Sequence, residues 1–383
     1  MFGKAITIFK MFGFAVRVDA SWIIIALLVT WSLAAGEFPN SEPGLEAGIY
    51  WAMGATAALG LFVSIILHEL THSLVARRYG LQIKGITLFV FGGVSEMQDE
   101  PRSPGAELMV AVVGPLSSVV LAAAFVGLWL VGEQVEWPVA VNAVTKWLGY
   151  INGLLAVFNM LPAFPLDGGR VLRSALWGAR GNLRWATRVA SAIGSGFGIL
   201  LMVLGGLMVF MNPANLIGGI WLFVIGMFLR GSARMSYQQL LVRQALEGEP
   251  VNRFMSPEVV SVPPGTTLRD LVENYIYKYH FKMLPVVEDG RLLGCVTTRE
   301  VGQVPREAWG QKTVQDIVTS CGVDNAIAPG ADAMKAMSKM ARNKSSRLMV
   351  VDGDRLVGML TLKDLMAFLS LKIELGDEDK GEQ

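Results

Sequence analysis

The sequence predicts a membrane α-helical fold of six spans followed by a cytoplasmic α/β domain, and three observations predict it. Hydrophobic residues make up 52% of the 383-residue chain and the mean hydropathy is +0.46, too apolar for an ordinary soluble protein. The long apolar runs all fall before about Leu229, whereas from about Val251 apolar and charged residues alternate as in a soluble α/β domain. Lys and Arg gather on alternate inter-span segments, as cytoplasmic loops require. The net charge of +1 gives no indication of a nucleic-acid partner.

The first run, Ala20–Ala35, is short, and the long leader carrying Lys4, Lys10 and Arg17 favours an uncleaved span over a signal peptide. Ile49–Ala76, Leu108–Val131, Val139–Leu161 and Val189–Met211 each reach the ~20 residues that cross a hydrocarbon core, and Asn212–Leu229 falls just short. With the N-terminus inside, the inner segments hold Arg77, Arg78, Lys84 and Arg102, then Arg170, Arg173, Arg180, Arg184 and Arg188, then Arg230, Arg234 and Arg243. On the outer side Lys146 is the only basic residue, against Glu37, Glu42, Glu46, Glu133 and Glu136. Both termini are therefore expected to be cytoplasmic.

The second span contains Leu67-His68-Glu69-Leu70-Thr71-His72, with two of the chain's three histidines. His68 and His72 fall one turn, about 6 Å, apart on one helix face and can grip a single zinc ion. Glu69, not needed as a ligand, can take a proton from a zinc-activated water and pass it to a leaving amine. A polar patch satisfied by neighbouring helices is the plainer reading, but burying two imidazoles and a carboxylate is costly without an ion. Arg77 follows His68 by nine residues, which places the site about 13 Å inside the cytoplasmic edge.

A catalytic zinc needs a third protein ligand and an open position. His280 is far off in the soluble part, which leaves an acid near a span. In Asn159-Met160-Leu161-Pro162-Ala163-Phe164-Pro165-Leu166-Asp167-Gly168-Gly169-Arg170 the prolines break the helix and the glycine pair permits close backbone approach. Asp167 is there either as a ligand or as a cap on the next helix.

Together, His68-Glu69-x-x-His72 and the Asn159 to Arg170 segment resemble the site-2 protease family of intramembrane zinc metalloproteases, over roughly residues 1–230. The resemblance implies His68, His72 and Asp167 as ligands of one zinc per chain and Glu69 as catalytic acid and base. It implies that Asn159 holds substrate backbone or the developing oxyanion. It also implies hydrolysis of a membrane-embedded or membrane-adjacent protein substrate, by a multi-pass protein in the lipid bilayer of the cell membrane.

Leu88–Met97 is a β-prone run with a glycine pair and resembles the membrane-dipping β-hairpin of that family, whose edge could add a substrate strand. A plain amphipathic loop is the alternative. Gly114-Pro115-Leu116-Ser117-Ser118 and the small residues Gly194, Ser195, Gly196, Gly198, Gly205 and Gly206 are read as packing surfaces.

After a polar helical linker, 231–251, the chain contains a repeat. Phe281–Gly294 aligns with Ser345–Gly358 at an offset of 64, and each copy reads as strand, helix, strand, turn, strand, helix. This resembles a tandem pair of CBS domains, the Bateman module, over 252–372, divided at about 308. The resemblance implies an adenine nucleotide at Thr361 and Asp364 and, in the first copy, at Thr297 and Glu300, where the longer acid departs from the pattern. A tail that only forms a homodimer or docks a partner is the alternative. Residues 373–383 are expected to be disordered. Cys295 and Cys321 read as isolated thiols. A reading from another class is a nucleotide-gated transporter or channel, with His68, His72 and Asp167 lining a path.

Overall fold

The computed structural model describes residues 5–90, 92–97, 100–212, 215–319, 325–343 and 345–374. The expectations for Lys4, Cys321 and the last residues, 376–383, lie outside these. The chain divides into two compact units, Met1–Gln238 and Gln239–Gln383.

The first unit opens with a hairpin of β1 (Ile6–Met11) and β2 (Phe14–Val18), turned at Phe12 and Gly13, both at positive φ. Phe14, Val16 and Val18 alternate inward, the period of a half-buried strand. This hairpin was not expected from the basic leader, and it places Lys10 and Arg17 in strands. Asp19 then caps α1 (Ala20–Ser32), its Oδ1 accepting from Ser21 N at 3.0 Å. A π-helical turn, Leu33–Glu37, leads into α2 (Phe38–Ser41).

The long helix α3 (Ala47–Arg78) carries the two histidines. It is followed by β3 (Ile83–Phe89) and β4 (Gly92–Met97), an antiparallel hairpin that starts earlier than the predicted run Leu88–Met97 and ends with it. Because β2 pairs parallel with β3, the four strands form one sheet ordered β1-β2-β3-β4. Four more helices follow: α4 (Pro104–Gln134), capped by Ser103, α5 (Val139–Asn159), α6 (Asp167–Arg180) and α7 (Leu183–Met211). Gly181, left-handed at φ 69°, ends α6. Then α8 (Leu216–Leu246) takes in all but the last five residues of the stretch 231–251 read as a linker.

Five of these segments are long and apolar enough to cross a membrane: Ala20–Ser41, α3, α4, α7 and α8. Helix α5, the fourth predicted span, is not among them, because Asn142, Thr145, Lys146 and Asn152 dilute its apolar residues. It nevertheless packs into the bundle, with Ala143, Val144 and Leu148 against Tyr50, Met53 and Ala57 of α3. Small residues let the helices close up. Gly198 of α7 meets the backbone of Gly226 and Arg230, and Gly205 meets that of Gly219, whereas Gly196 and Gly206 face open space.

In the second unit, α9 (Leu268–Asp270) passes through a π-helical stretch, Leu271–Ile276, into α10 (Tyr277–Tyr279). After it come β5 (Met283–Glu288), β6 (Arg291–Thr297) and α11 (Thr298–Gly302). The second copy supplies β7 (Ala326–Ile327), α12 (Ala333–Asn343), β8 (Arg347–Asp352), β9 (Arg355–Thr361) and α13 (Leu362–Glu374). The sheet runs β5-β6-β9-β8-β7. The 64-residue offset carries β5 onto β8 and β6 onto β9, down to a bulge after Val286 and another after Val350. The opening strand expected in each copy forms only in the second, as β7, its first-copy equivalent being a single bridge from Val262 to Val286. Each copy is completed by the segment preceding the other, for Ser256 bridges to Met359 and Thr319 to Cys295. Gly294 and Gly358 leave room for those crossings.

Candidate metal centre

Four residues apart on α3, His68 and His72 are 4% and 3% exposed and point to the same side. Asp167 meets them from the first residue of α6. Leu166 is the N-cap of that helix, so the Asp167 side chain is not spent on capping. Its Oδ2 lies 3.1 Å from both His68 Nε2 and His72 Nε2, and the two Nε2 atoms lie 3.1 Å from each other. The predicted ligand set therefore converges in space.

The opposite ring nitrogens fix how those atoms present themselves. His72 Nδ1 lies 2.6 Å from the Val110 carbonyl, which can only accept, so Nδ1 carries the proton. In the neutral ring Nε2 then offers a lone pair toward a carboxylate oxygen and a second imidazole. One shared proton can relieve one such contact; a cation at the centre relieves all three. A tetrahedral zinc with bonds of about 2.0–2.1 Å needs donor separations of about 3.3 Å, so the donors fit that ion in type and spacing. His68 Nδ1 is held in turn by Ser118 Oγ at 2.9 Å.

Glu69 lies beside this cluster on α3, and β4 covers it. A Cβ at Gly93 would come within 2.7 Å of Glu69 Cγ and 3.2 Å of Ile65, so glycine lets the strand backbone lie against the acid. Gly114 does the same from α4, where a Cβ would fall 2.6 Å from His68 Nε2 and inside contact distance of His72 Nε2. Behind Asp167, Gly168 and Gly169 bring α6 onto the backbone of Met160, Leu161 and Phe164.

The peptidase family M50 model matches residues 56–137 and 132–205. A protein of Synechocystis sp. described as a zinc metalloprotease is 35% identical, over 92% of this chain and 92% of its own length. This chain belongs to peptidase family M50. A Mycobacterium tuberculosis relative, Rip3, is 32% identical over 96% of this chain and 93% of its own, and a zinc metalloprotease of Methanocaldococcus jannaschii is 28% identical over 97% and 99%. The solved site-2 protease from M. jannaschii is 27% identical, covering 60% of this chain and 94% of that one, with a TM-score of 0.43. The CBS domain family matches residues 251–302 and 314–371.

The relatives matched along nearly the whole chain are named as zinc metalloproteases, which does not favour the transporter reading. The remaining predicted residues fare differently. Asn159 ends α5 half-buried, its Nδ2 donating to Leu155 O at 3.0 Å, and it does not join the hydrogen-bonded cluster of His68, His72 and Asp167. In the tail of this M50 chain, Asp364 Oδ2 accepts from Thr361 N at 2.9 Å and Thr361 Oγ1 at 2.7 Å. Glu300 Oε2 likewise accepts from Thr297 N at 2.7 Å and from Thr297 Oγ1. Both acids thus turn back onto the start of their own helices.

Sequence reasoning missed Ser118 and the Val110 carbonyl, and it assigned Gly114 to Ser118 to packing alone. Gly114, Ser118 and Val110 share one face of α4 at helical spacing, the sole signal that could have found them.

Proposed function

We propose that this M50 chain is an intramembrane zinc metalloprotease that hydrolyses peptide bonds of membrane-embedded or membrane-adjacent proteins. The observation that carries the reading is the convergence of His68 Nε2, His72 Nε2 and Asp167 Oδ2 with mutual separations of 3.1 Å. These three residues would hold the zinc, which when bound supplies Lewis-acid activation of a water and of the scissile carbonyl. The Ser118 hydroxyl and the Val110 carbonyl keep both Nε2 atoms turned inward. Glu69 accepts the proton of the attacking water and returns it to the amide nitrogen as the C–N bond breaks. Asn159 would hold the substrate backbone or the developing oxyanion.

As an edge strand lying against Glu69, β4 gives an unwound substrate segment a place to pair. The topology that fits the charge distribution has six spans, α5 included, with both termini cytoplasmic. Residues 1–230 form the protease domain and 252–372 the regulatory pair, joined by 231–251. In the tail, an adenine nucleotide would take Thr361 and Asp364, and Thr297 and Glu300, away from their helix caps and modulate the protease, in a pair of chains joined through these domains. The test is cleavage of a reconstituted transmembrane reporter. Wild type cleaves and Glu69→Gln does not while keeping its zinc; a Glu69→Gln variant that still cleaves refutes the mechanism.

A further inference from the structure

Glu107 and Arg173 form a charged pair that the mechanism leaves without a task. Glu107 is fully buried in the first turn of α4, and Arg173 is 5% exposed on α6. Arg173 Nε donates to Glu107 Oε1 at 2.6 Å and Nη2 donates to the same oxygen. The guanidinium also lies over the Phe164 ring, 5.2 Å from its centroid, in the turn just before Asp167. Beside it, Ser174 Oγ donates to Pro104 O at 2.7 Å, a second tie between the same helices.

A buried ion pair is a poor way to gain stability, because desolvating both charges offsets their attraction and apolar residues of equal volume hold helices as well. This one is not even fully satisfied, since Glu107 Oε2 is buried with no hydrogen-bond partner among the described residues. What such a pair does supply is register. Glu107, Val110, Gly114 and Ser118 lie at i, i+3, i+7 and i+11, one face of α4, and the last three are the groups that touch the imidazoles. Arg173 lies six residues beyond Asp167 on α6.

We propose that the Glu107–Arg173 pair positions Asp167: it locks α6 to the α4 face that already holds both histidines, so that Asp167 Oδ2 reaches the two Nε2 atoms. This rests on the metal-site reading above. The pair acts through Asp167 and touches no substrate.

The test is cobalt(II) titration of the full-length protein in detergent after removal of metal, following the visible d–d spectrum. Wild type is expected to bind one cobalt with the intense spectrum of a four-coordinate site. Glu107→Gln and Arg173→Lys should bind it about tenfold more weakly, the lower end of the cost of disturbing a ligand's surroundings, and with an altered spectrum. The double variant Glu107→Met with Arg173→Met should restore thermal stability without restoring the spectrum, which separates positioning from packing. It also decides the matter if the single variants misfold. Wild-type affinity and spectrum in the double variant, or in folded single variants, overturn the proposal alone; a wild type that takes up no cobalt overturns the metal reading and this proposal with it.

Discussion

Ser118 Oγ on α4 stands 2.9 Å from His68 Nδ1 on α3, joining two helices at the back of an imidazole whose front faces Asp167. Such outer partners set ring orientation and typically carry about 10–100-fold in metal affinity. Ser118→Ala should therefore weaken zinc binding by about tenfold or more, measured by competition with a chelator, while Ser117→Ala should change it little. Ser117 Oγ bonds Gly114 O of its own helix and meets α3 through Thr71 Oγ1 at 3.3 Å, not through a histidine.

Gly114→Ala should empty the site. Its methyl would occupy the space in front of both Nε2 atoms, and the imidazoles cannot retreat because their Nδ1 atoms are held. Zinc per chain by elemental analysis should fall from one toward zero, with cleavage lost in proportion. Gly196→Ala on α7, where nothing lies within 4 Å, should leave both unchanged.

Glu69→Gln should lower cleavage by at least about 10²–10⁴, the range for a lost general acid and base, with zinc retained. Gly93→Val should act on the same residue from the strand side, because a branched side chain there collides with Glu69 and Ile65. Its expected signature is loss of reporter cleavage at normal zinc content.

The convergence of His68, His72 and Asp167 was legible because a helix turns a four-residue spacing into proximity, and because the prolines and glycines around Asp167 announce a broken span. The groups behind the histidines were not. Val110 contributes only a backbone carbonyl, which no side chain advertises, and Ser118 looks like any small residue at a helix contact until α4 is set in register on α3. The hairpin of Ile6–Val18 hid within a short stretch whose basic residues carried a topological signal of their own. In the tail the repeat announced the paired hairpins β5-β6 and β8-β9, whereas the crossing of Ser256 to Met359 and Thr319 to Cys295 is a property of the paired copies that neither copy contains.

In that tail, Thr361→Ala removes a helix cap and should cost about 1 kcal/mol of tail stability. If adenine nucleotides bind there, ATP or AMP should raise the melting temperature of the wild type, and Asp364→Ala should abolish the rise. A thermal-shift series on the full-length protein checks both.

The most direct measurement is zinc-edge X-ray absorption on the purified protein. Two imidazole nitrogens and light oxygen scatterers at about 2.0–2.2 Å, with the pattern altered in Asp167→Asn, are the predicted result. A sulfur scatterer, or a zinc shell that Asp167→Asn leaves unchanged, would contradict the assignment of His68, His72 and Asp167 to one metal.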